Sequence, residues 1–246
     1  MRLINPDEVD IQTQKPMNRL YRDAENNLRQ AADLAGKHGF RYLALQAKVD
    51  LAWTHYYAGN YSEAIATGKW AEQGIPEAYI ISESEFPAST AVESHFFYQL
   101  AKLHGLYAGV DMVDFGNRRE ALRRKLARWE DLYSRLWGDE DAHAKMTSAA
   151  EHYVLALFYG QLYSPRSRSL VITFDQIYEH VKGFNMVEYA MFYEAQKNVS
   201  KKYQRHRKAL EATTDISPFD FSKLEDWLKD CFGPLEYPAD RIEISK

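Results

Sequence analysis

The stretch Leu51–Ile65, LAWTHYYAGNYSEAI, has the pattern of a tight bend between two helices. One helix runs into Ala58, the pair Gly59-Asn60 breaks it, and a second helix starts at Tyr61. Glycine readily takes the left-handed backbone conformation in which many helices end. The stretch therefore predicts a helical hairpin, which is a pair of helices joined by a short turn.

The composition favours helices along the whole chain. The 246 residues include only 12 glycines and 8 prolines, and 14% of them are aromatic. Few turn formers and many large apolar side chains indicate helices joined by short connections, and argue against a disordered chain or a turn-rich β sandwich. The fold class predicted from this pattern is all-α, with eight or nine helices.

Apolar residues at steps of three and four set the predicted helix boundaries. Pro16 is interpreted as the residue before the first helix, and the glycine-flanked segment 109–117 as a loop. The predicted helices span residues 18–38, 42–58, 61–73, 90–108, 118–136, 137–163, 172–181, 186–212 and 220–231. The predicted organisation is an N-terminal extension over 1–16, a single helical repeat-like domain over 17–232 and a loose C-terminal tail over 233–246.

Part of the bend recurs further along the chain. The motif GNxxEA followed by Ile or Leu occurs at Gly59–Ile65 and again at Gly116–Leu122. A small residue such as Ala64 lets two helices approach to about 8 Å, which gives its position a packing role. The recurrence predicts a second, degenerate unit from about residue 94 to residue 128.

The first unit resembles a tetratricopeptide repeat. Lys48, His55 and Gly68 depart from that family's pattern, which usually has tryptophan, tyrosine and a large aromatic residue there, and the resemblance covers less than half of the chain. It implies an α-solenoid of antiparallel helical hairpins that binds a protein or peptide in a concave groove. The alternative is an irregular helical bundle that contains one similar hairpin. The family's spacings are matched by Leu51, Ala52, Gly59, Tyr61, Ala64, Ala71 and Pro76.

The resemblance also implies which residues face the groove, because the first helix of each unit lines it in this family. Trp53 and Tyr57 lie four residues apart and could form an exposed platform, and aromatic anchors often dominate binding energy. Packing inside the core is the alternative for each ring. The predicted partner-binding residues are Gln46, Trp53, Tyr56, Tyr57, His95, Tyr98 and Lys102.

Two runs of basic residues, within 118–128 and 197–208, suggest a second kind of partner. Like charges four residues apart on a helix cost a few tenths of a kcal/mol unless acidic groups balance them. One interpretation is a solvated face or ion pairs with acidic stretches such as Asp139–Asp141. The other is a surface for phosphate or acidic peptide, which makes nucleic acid an alternative partner. The candidate anion-binding residues are Arg119, Arg123, Arg124, Arg128, Lys197, Lys201 and Arg205.

Catalytic signatures are missing from the sequence. No GxSxG, P-loop or GxGxxG motif occurs, and the eight histidines include no HExxH. Glu140-x-x-His143 is a single pair, whereas a carboxylate di-iron bundle needs two. We therefore expect no metal and no cofactor, and a non-enzymatic adaptor or regulator. A helical enzyme whose site is assembled from distant residues stays the alternative.

Other features predict a cytoplasmic protein without a membrane partner. The single cysteine, Cys231, fits a reducing compartment. The N-terminal residues lack the apolar segment of a secretory signal, and no apolar run reaches the roughly 20 residues of a membrane span. The oligomeric state is not predicted.

The hairpin makes a prediction about Ala64. Ala64→Phe should lower the free energy of unfolding by about 1–3 kcal/mol, because a large ring overpacks a close helix crossing. Ala66→Phe, on the other side of the same helix, is the matched control and should cost much less. Urea unfolding of both variants measures the difference, and equal losses would contradict the predicted crossing.

Overall fold

The computed structural model describes residues 11–75, 90–126, 128, 130–163, 176–177 and 179–211. Every regular element in these ranges is a helix, which confirms the all-α prediction for them. The predicted helix over 220–231 and the predicted tail lie outside the described residues, so the domain boundary at residue 232 stays a prediction. The helices are α1 (Ile11–Lys37), α2 (Arg41–Tyr57), α3 (Tyr61–Gln73), α4 (Thr90–Arg123), α5 (Glu130–Trp137), α6 (Glu140–Tyr163) and α7 (Met186–Glu211).

Two matching turns connect the first three helices. Gly39 and Gly59 have φ angles of 77° and 79°, in the left-handed region that favours glycine. At the second turn the Asn60 N–H donates to the His55 carbonyl at 2.9 Å, and the Gly59 N–H donates to the Tyr56 carbonyl at 3.0 Å. These two bonds form a Schellman motif. Two equivalent bonds form the same motif at the first turn, around Gly39. The predicted turn at Gly59 is confirmed, and α2 packs against both α1 and α3.

The first helix starts earlier than the sequence pattern predicted. It begins at Ile11 instead of Asn18, so Pro16 lies inside α1. A proline lacks the amide hydrogen and removes one backbone hydrogen bond from a helix. Here that loss does not end the helix, and the interpretation of Pro16 as the residue before the helix is wrong.

Helix α4 differs most from the prediction. It runs from Thr90 to Arg123 without interruption, so the predicted loop over 109–117 and the second bend at Gly116 are both wrong. A Cβ atom at Gly109 would lie 2.8 Å from the Tyr56 hydroxyl oxygen. This glycine therefore permits close packing of a ring against the helix backbone, and it does not form a turn. The degenerate second unit predicted over 94–128 has no bend at its centre.

The predicted helix over 118–136 is divided into two. Helix α4 ends at Arg123 and α5 begins at Glu130. The amides of Lys125 and Leu126 donate to carbonyls three residues earlier, at 3.0 and 3.1 Å, which tightens the end of the helix. Since no glycine or proline marks this break, periodicity alone does not reveal it.

The chain forms two compact units, one from residues 1–110 and 155–179 and the other from 111–154 and 180–246. In the first unit, Ala64 and Ala71 of α3 are fully buried, as predicted from the crossing. A Cβ atom at Gly68 would lie 2.9 Å from the Tyr107 ring. Tetratricopeptide repeats usually have a large aromatic residue at the position of Gly68. Here the ring of Tyr107, which belongs to α4, lies beside that glycine instead. The described core of this unit consists of Leu45, Val49, Ala52, Tyr56, Ala64, Ala71, Ile75, Phe96, Leu103, Leu106, Tyr107 and Val110.

The second unit has its own buried side chains, and its helix α7 has a capped N-terminus. Helix α5 contacts α7. The Asn185 Oδ1 accepts the amide N–H groups of Val187 and Glu188, and the Glu188 carboxylate accepts the Asn185 N–H at 2.9 Å. This capping box fixes the start of α7. Large buried side chains in the described part of this unit include Phe115, Leu132, Leu136, Met146, Tyr153 and Met191.

Two glycines of α4 give a matched test of the uninterrupted helix. Gly116→Ala should stabilise the protein by about 0.5–1 kcal/mol, because the added methyl group meets no described atom within 4 Å apart from its own stretch of helix, and alanine favours helix. Gly109→Ala should destabilise it by about 1–3 kcal/mol, because the methyl group collides with the packed Tyr56 ring. Chemical unfolding measures both changes. A loss of stability on Gly116→Ala would instead indicate a left-handed turn at that residue.

Candidate partner-binding site

Helices α2 and α4, which carry the predicted groove residues, are in direct contact. The Trp53 Nε1 donates to the Lys102 carbonyl oxygen at 3.2 Å. The Lys102 ammonium group forms an ion pair with the Asp50 carboxylate. Gln99 Nε2 donates to the Tyr42 hydroxyl oxygen at 3.0 Å. These contacts hold the two helices side by side and balance the charge of Lys102.

Four rings form a continuous aromatic cluster at the end of α2 and the start of α3. Trp53, Tyr56, Tyr57 and Tyr61 have neighbouring ring centroids 5.4–5.6 Å apart. Edge-to-face and offset contacts of this kind add about 0.5–1.5 kcal/mol each beyond the area they bury. Tyr56 is 6% exposed and belongs to the core, whereas Tyr57 is 44% exposed. The cluster therefore extends from the core to the surface.

The phenol groups of this cluster stay protonated near neutral pH. Burial raises the pKa of Tyr56 well above its usual value. Burial also raises the pKa of Tyr57, and the neighbouring Tyr21 hydroxyl adds to the shift. Both phenols are therefore neutral hydrogen-bonding groups.

The other predicted groove residues lie on α2 and α4. Gln46 and Tyr98 are half-buried, and the Lys102 Nζ lies 5.7 Å from the centre of the Tyr98 ring. His95 belongs to α4, and its side chain lies outside the described residues. The structure thus brings together the α2 rings with Tyr98 and Lys102, while their role in binding stays a prediction.

A polar cleft of about 380 Å³ opens between α1 and the end of α2. The apolar periodicity of this segment predicts a helix and does not predict the cleft. The signal was present, since the α1 residues of the cleft recur at steps of three and four and so share one helix face. The cleft is lined by Asn18, Tyr21, Arg22 and Glu25 of α1 and by Thr54, His55, Ala58 and Asn60 at the second turn.

Hydrogen bonding in the cleft is incomplete. The Thr54 hydroxyl donates to the Asp50 carbonyl at 2.9 Å, and the Glu25 Oε1 accepts from the Arg29 Nη2 at 2.9 Å. The Arg22 Nε donates to the Asn18 carbonyl at 3.2 Å. His55 is only 4% exposed, yet its Nε2 has no hydrogen-bond partner among the described residues. Buried polar side-chain atoms nearly always have a partner, so this nitrogen is an exception among the described residues.

The first unit has a second cluster of polar side chains, whose members contact one another. The Tyr107 hydroxyl donates to the Glu72 Oε2 at 3.0 Å, and the His104 Nε2 lies 4.0 Å from the Glu72 Oε1. The His104 ring stacks on Tyr159 with centroids 5.5 Å apart. Burial, and then the nearby Glu72 carboxylate, raise the pKa of Tyr107. These contacts are those of a packed structural network.

Carboxylates of the second unit form ion pairs with arginines of the first basic run. Arg118 pairs with Asp139, with nitrogen–oxygen distances of 2.9 and 2.6 Å, which confirms the predicted pairing with the 139–141 stretch. Arg119 pairs with the buried Glu188 at 2.9 Å. Arg123 and Arg124 both pair with Glu120, at 2.7 and 3.2 Å. Arg128 and Lys197 are exposed, and the side chains of Lys201 and Arg205 lie outside the described residues, so anion binding stays a prediction.

The described part of the chain contains no group of three or more histidine, cysteine, aspartate or glutamate side chains placed to hold a metal ion. None of its helices is both long and apolar enough to cross a membrane.

Asp139 gives a pH-dependent test of the basic run. Its Oδ1 accepts the Ala142 N–H at 2.9 Å and so caps α6. The hydrogen bond from Arg118 lowers the pKa of Asp139. A carboxylate with a lowered folded pKa stabilises the protein above its unfolded pKa of about 4, and this contribution is lost as the pH falls through the folded pKa.

Asp139→Asn keeps a capping oxygen but removes the charge. The variant should be less stable than the parent by about 1 kcal/mol near neutral pH, and the difference should shrink as the pH falls below the unfolded pKa of about 4. Urea unfolding across this range measures the difference. A constant difference at every pH would show that the ion pair with Arg118 contributes nothing.

Comparisons with known proteins leave the function to be argued from these residues. The chain matches no protein-family model, no curated protein and no solved structure. The resemblance to a tetratricopeptide repeat is therefore carried by the spacing of residues 45–76 alone.

Proposed function

We propose that the chain is a non-enzymatic adaptor or regulator whose first unit binds a protein or peptide partner. The observation that carries this proposal is the Trp53–Tyr57 pair, whose ring centroids lie 5.5 Å apart with planes inclined at 33°. Trp53 is half-buried and Tyr57 is exposed. Aromatic side chains of this kind offer a large contact area with few rotatable bonds, and they are enriched among binding hot spots.

The platform is held rigid by contacts on its inner side. The Trp53 indole nitrogen is bonded to α4 through the Lys102 carbonyl, and the ring packs edge-on against buried Tyr56. A rigid anchor loses little conformational freedom on binding, so more of its contact energy appears as affinity. This argument supports Trp53 as the fixed base of the surface and Tyr57 as the part that a partner contacts.

The scaffold that we propose is a short tetratricopeptide-like solenoid of antiparallel helical hairpins. The matching turns at Gly39 and Gly59, with α2 packed on both α1 and α3, support half a unit followed by one full unit. Helix α4 would then take the place of the first helix of a following unit. The proposal is limited to α1–α4, because the second GNxxEA motif lies within a continuous helix.

The two alternative functions have weaker support. Arg119, Arg123 and Arg124 already pair with carboxylates, so a nucleic acid would have to compete with those groups for them. An enzyme would need a reactive group beside a base. The Glu72 carboxylate instead accepts a hydrogen bond from a buried tyrosine. The protein- or peptide-binding proposal is therefore the better supported one.

The proposal is tested by affinity capture from a lysate of the native cells at two salt concentrations. Leu43→Ala is the matched control for Tyr57→Ala, because Leu43 is also an exposed apolar residue of α2, at 53% exposed. We expect Tyr57→Ala to weaken binding of the recovered partner roughly 30-fold, which corresponds to about 2 kcal/mol, and Leu43→Ala to leave it unchanged. Capture of the same proteins at the same levels by all variants would refute the proposal. Steep loss of binding with salt would favour the nucleic-acid alternative.

Stability separates the two aromatic residues. Trp53→Ala should lower the free energy of unfolding by about 3–5 kcal/mol, because it removes a ring packed against the core. Tyr57→Ala should lower it by less, about 1–3 kcal/mol, since it removes two ring contacts but much of that side chain faces solvent. Thermal and urea unfolding of the single variants measure both values. Severe destabilisation by Tyr57→Ala would instead assign that ring to the core.

A further inference from the structure

We infer that α1 carries an interface for a second copy of this chain, in which two α1 helices pair in antiparallel orientation around Asn27. The contact is made by one line of side chains, here called the α1 seam, which consists of Leu20, Ala24, Asn27, Ala31 and Leu34. The seam lies on α1 and the aromatic platform on α2, so the dimer goes beyond the proposed function and does not depend on it.

The two leucines of the seam are largely exposed in the single chain. Leu20 is 62% exposed and Leu34 is 60% exposed. Asn27 and Ala31, which lie between them, are exposed as well. A single exposed leucine is ordinary on a protein surface, but two on the same line of one helix form an apolar strip. Removing this strip from water favours association.

The seam is a different side of α1 from the one that packs on α2. Helix α1 contacts α2, and its side chains that lose exposure include buried Ala32 and half-buried Leu28 and Ala35. With about 3.6 residues per turn, the seam lies about a quarter of a turn away from these residues. Ala24 lies at the boundary between the two sides and is half-buried. The seam is therefore available to a second helix while α1 stays packed on α2.

The spacing of the seam is that of a helix that pairs with another helix. Its residues follow one another at alternating steps of four and three, which is the spacing of the contact positions in a coiled coil. The central position is Asn27. A single asparagine in such a seam fixes the register and the number of helices, at a cost in stability. The pattern thus favours a helix as the occupant over an extended peptide.

The order of residues in the seam points to a second copy as that helix. The seam reads Leu, Ala, Asn, Ala, Leu in both directions, and each leucine is seven residues from Asn27. A two-fold axis at Asn27 places Leu20 opposite Leu34 of the second copy, and Ala24 opposite Ala31. The two Asn27 side chains meet at the axis, where each amide can both donate and accept a hydrogen bond. A two-fold interface requires this kind of self-complementary surface.

The charge beside the seam is compatible with the antiparallel pair. Asp23 flanks the seam and forms an ion pair with Arg19 of the same helix at 3.8 Å. In the antiparallel pair Asp23 lies level with Gln30 of the second copy, whose amide can donate to the carboxylate. Antiparallel packing also sets the two helix dipoles against each other, which is favourable. Asp23 therefore meets an amide and not a second carboxylate.

The small size of the seam predicts a weak dimer. From Leu20 to Leu34 it is about 20 Å long on a helix about 10 Å across. Pairing two such strips buries several hundred Å² per copy, which is less than the roughly 800 Å² of a standard interface. We therefore expect a reversible dimer with a Kd on the order of 100 µM.

The test is sedimentation velocity of the full chain from about 1 to 500 µM. Asn27→Leu should lower the dimer Kd at least about 10-fold, because it replaces the polar group in the seam by an apolar one. Asn26→Leu is the matched control, since it makes the same change at the adjacent exposed residue, which lies outside the seam, and it should leave the Kd unchanged. Equal tightening by both variants would overturn the inference, and so would the absence of dimers in both the parent and Asn27→Leu.

A second pair of variants tests the loss of the dimer. Leu34→Glu should weaken association at least about 10-fold, because it places a charge opposite Leu20 of the second copy. Trp70→Glu is the control, since Trp70 is also exposed, at 52%, but belongs to α3. Both changes are at exposed positions, so both variants should fold. An equal loss in the two variants would assign the dimer to a surface other than the seam.

Disulfide crosslinking tests the orientation of the two helices. Cys231→Ser removes the single cysteine, and Leu20→Cys or Leu34→Cys is added to that chain, with one of the two lengthened by a tag. A disulfide forms only when the two Cβ atoms approach to about 3.5–4.5 Å. On mild oxidation of the mixture we expect crosslinked dimers that contain one chain of each kind. Crosslinks confined to identical chains would overturn the antiparallel pairing.

Discussion

The close approach of α4 to α2 is the constraint on which the first unit depends. Gly109 lets the Tyr56 ring lie against the α4 backbone, and the Trp53 indole reaches the Lys102 carbonyl on the same helix. With Tyr56 fixed inside and Trp53 fixed at the boundary, Tyr57 is the ring that reaches the surface. A larger residue at Gly109 would force the α2 rings outward and change the exposed surface.

Periodicity was enough to locate most of the helices, and a local glycine signal was enough for the turn at Gly59. The same signal failed at Gly109 and Gly116, where glycine lies inside a helix. A turn glycine is defined by its own φ angle, whereas a packing glycine is defined by a ring more than 50 residues away. The sequence near the glycine contains no information about that ring. This explains Gly109 but not Gly116, where the second bend was predicted and where an added Cβ atom would meet no described side chain within 4 Å.

The same distinction applies to the candidate sites. The α2 aromatic residues could be selected from their spacing because all of them lie on one helix. The cleft combines the face of α1 with the turn after α2, and its unpaired His55 is visible only once the partners of every neighbour are known. The basic run was visible in the sequence, but its carboxylates were harder to assign. Asp139 and Glu188 lie 21 and 69 residues from the arginines that they balance.

The turn after α2 has a consequence for dynamics. Its hydrogen bond from the Asn60 amide to the His55 carbonyl joins two residues of the cleft through the backbone. Exchange of the Asn60 amide hydrogen with solvent requires this bond to open, and the bond holds the end of α2 next to the start of α3. The exchange rate of this one backbone amide therefore measures how often the turn between the two helices opens.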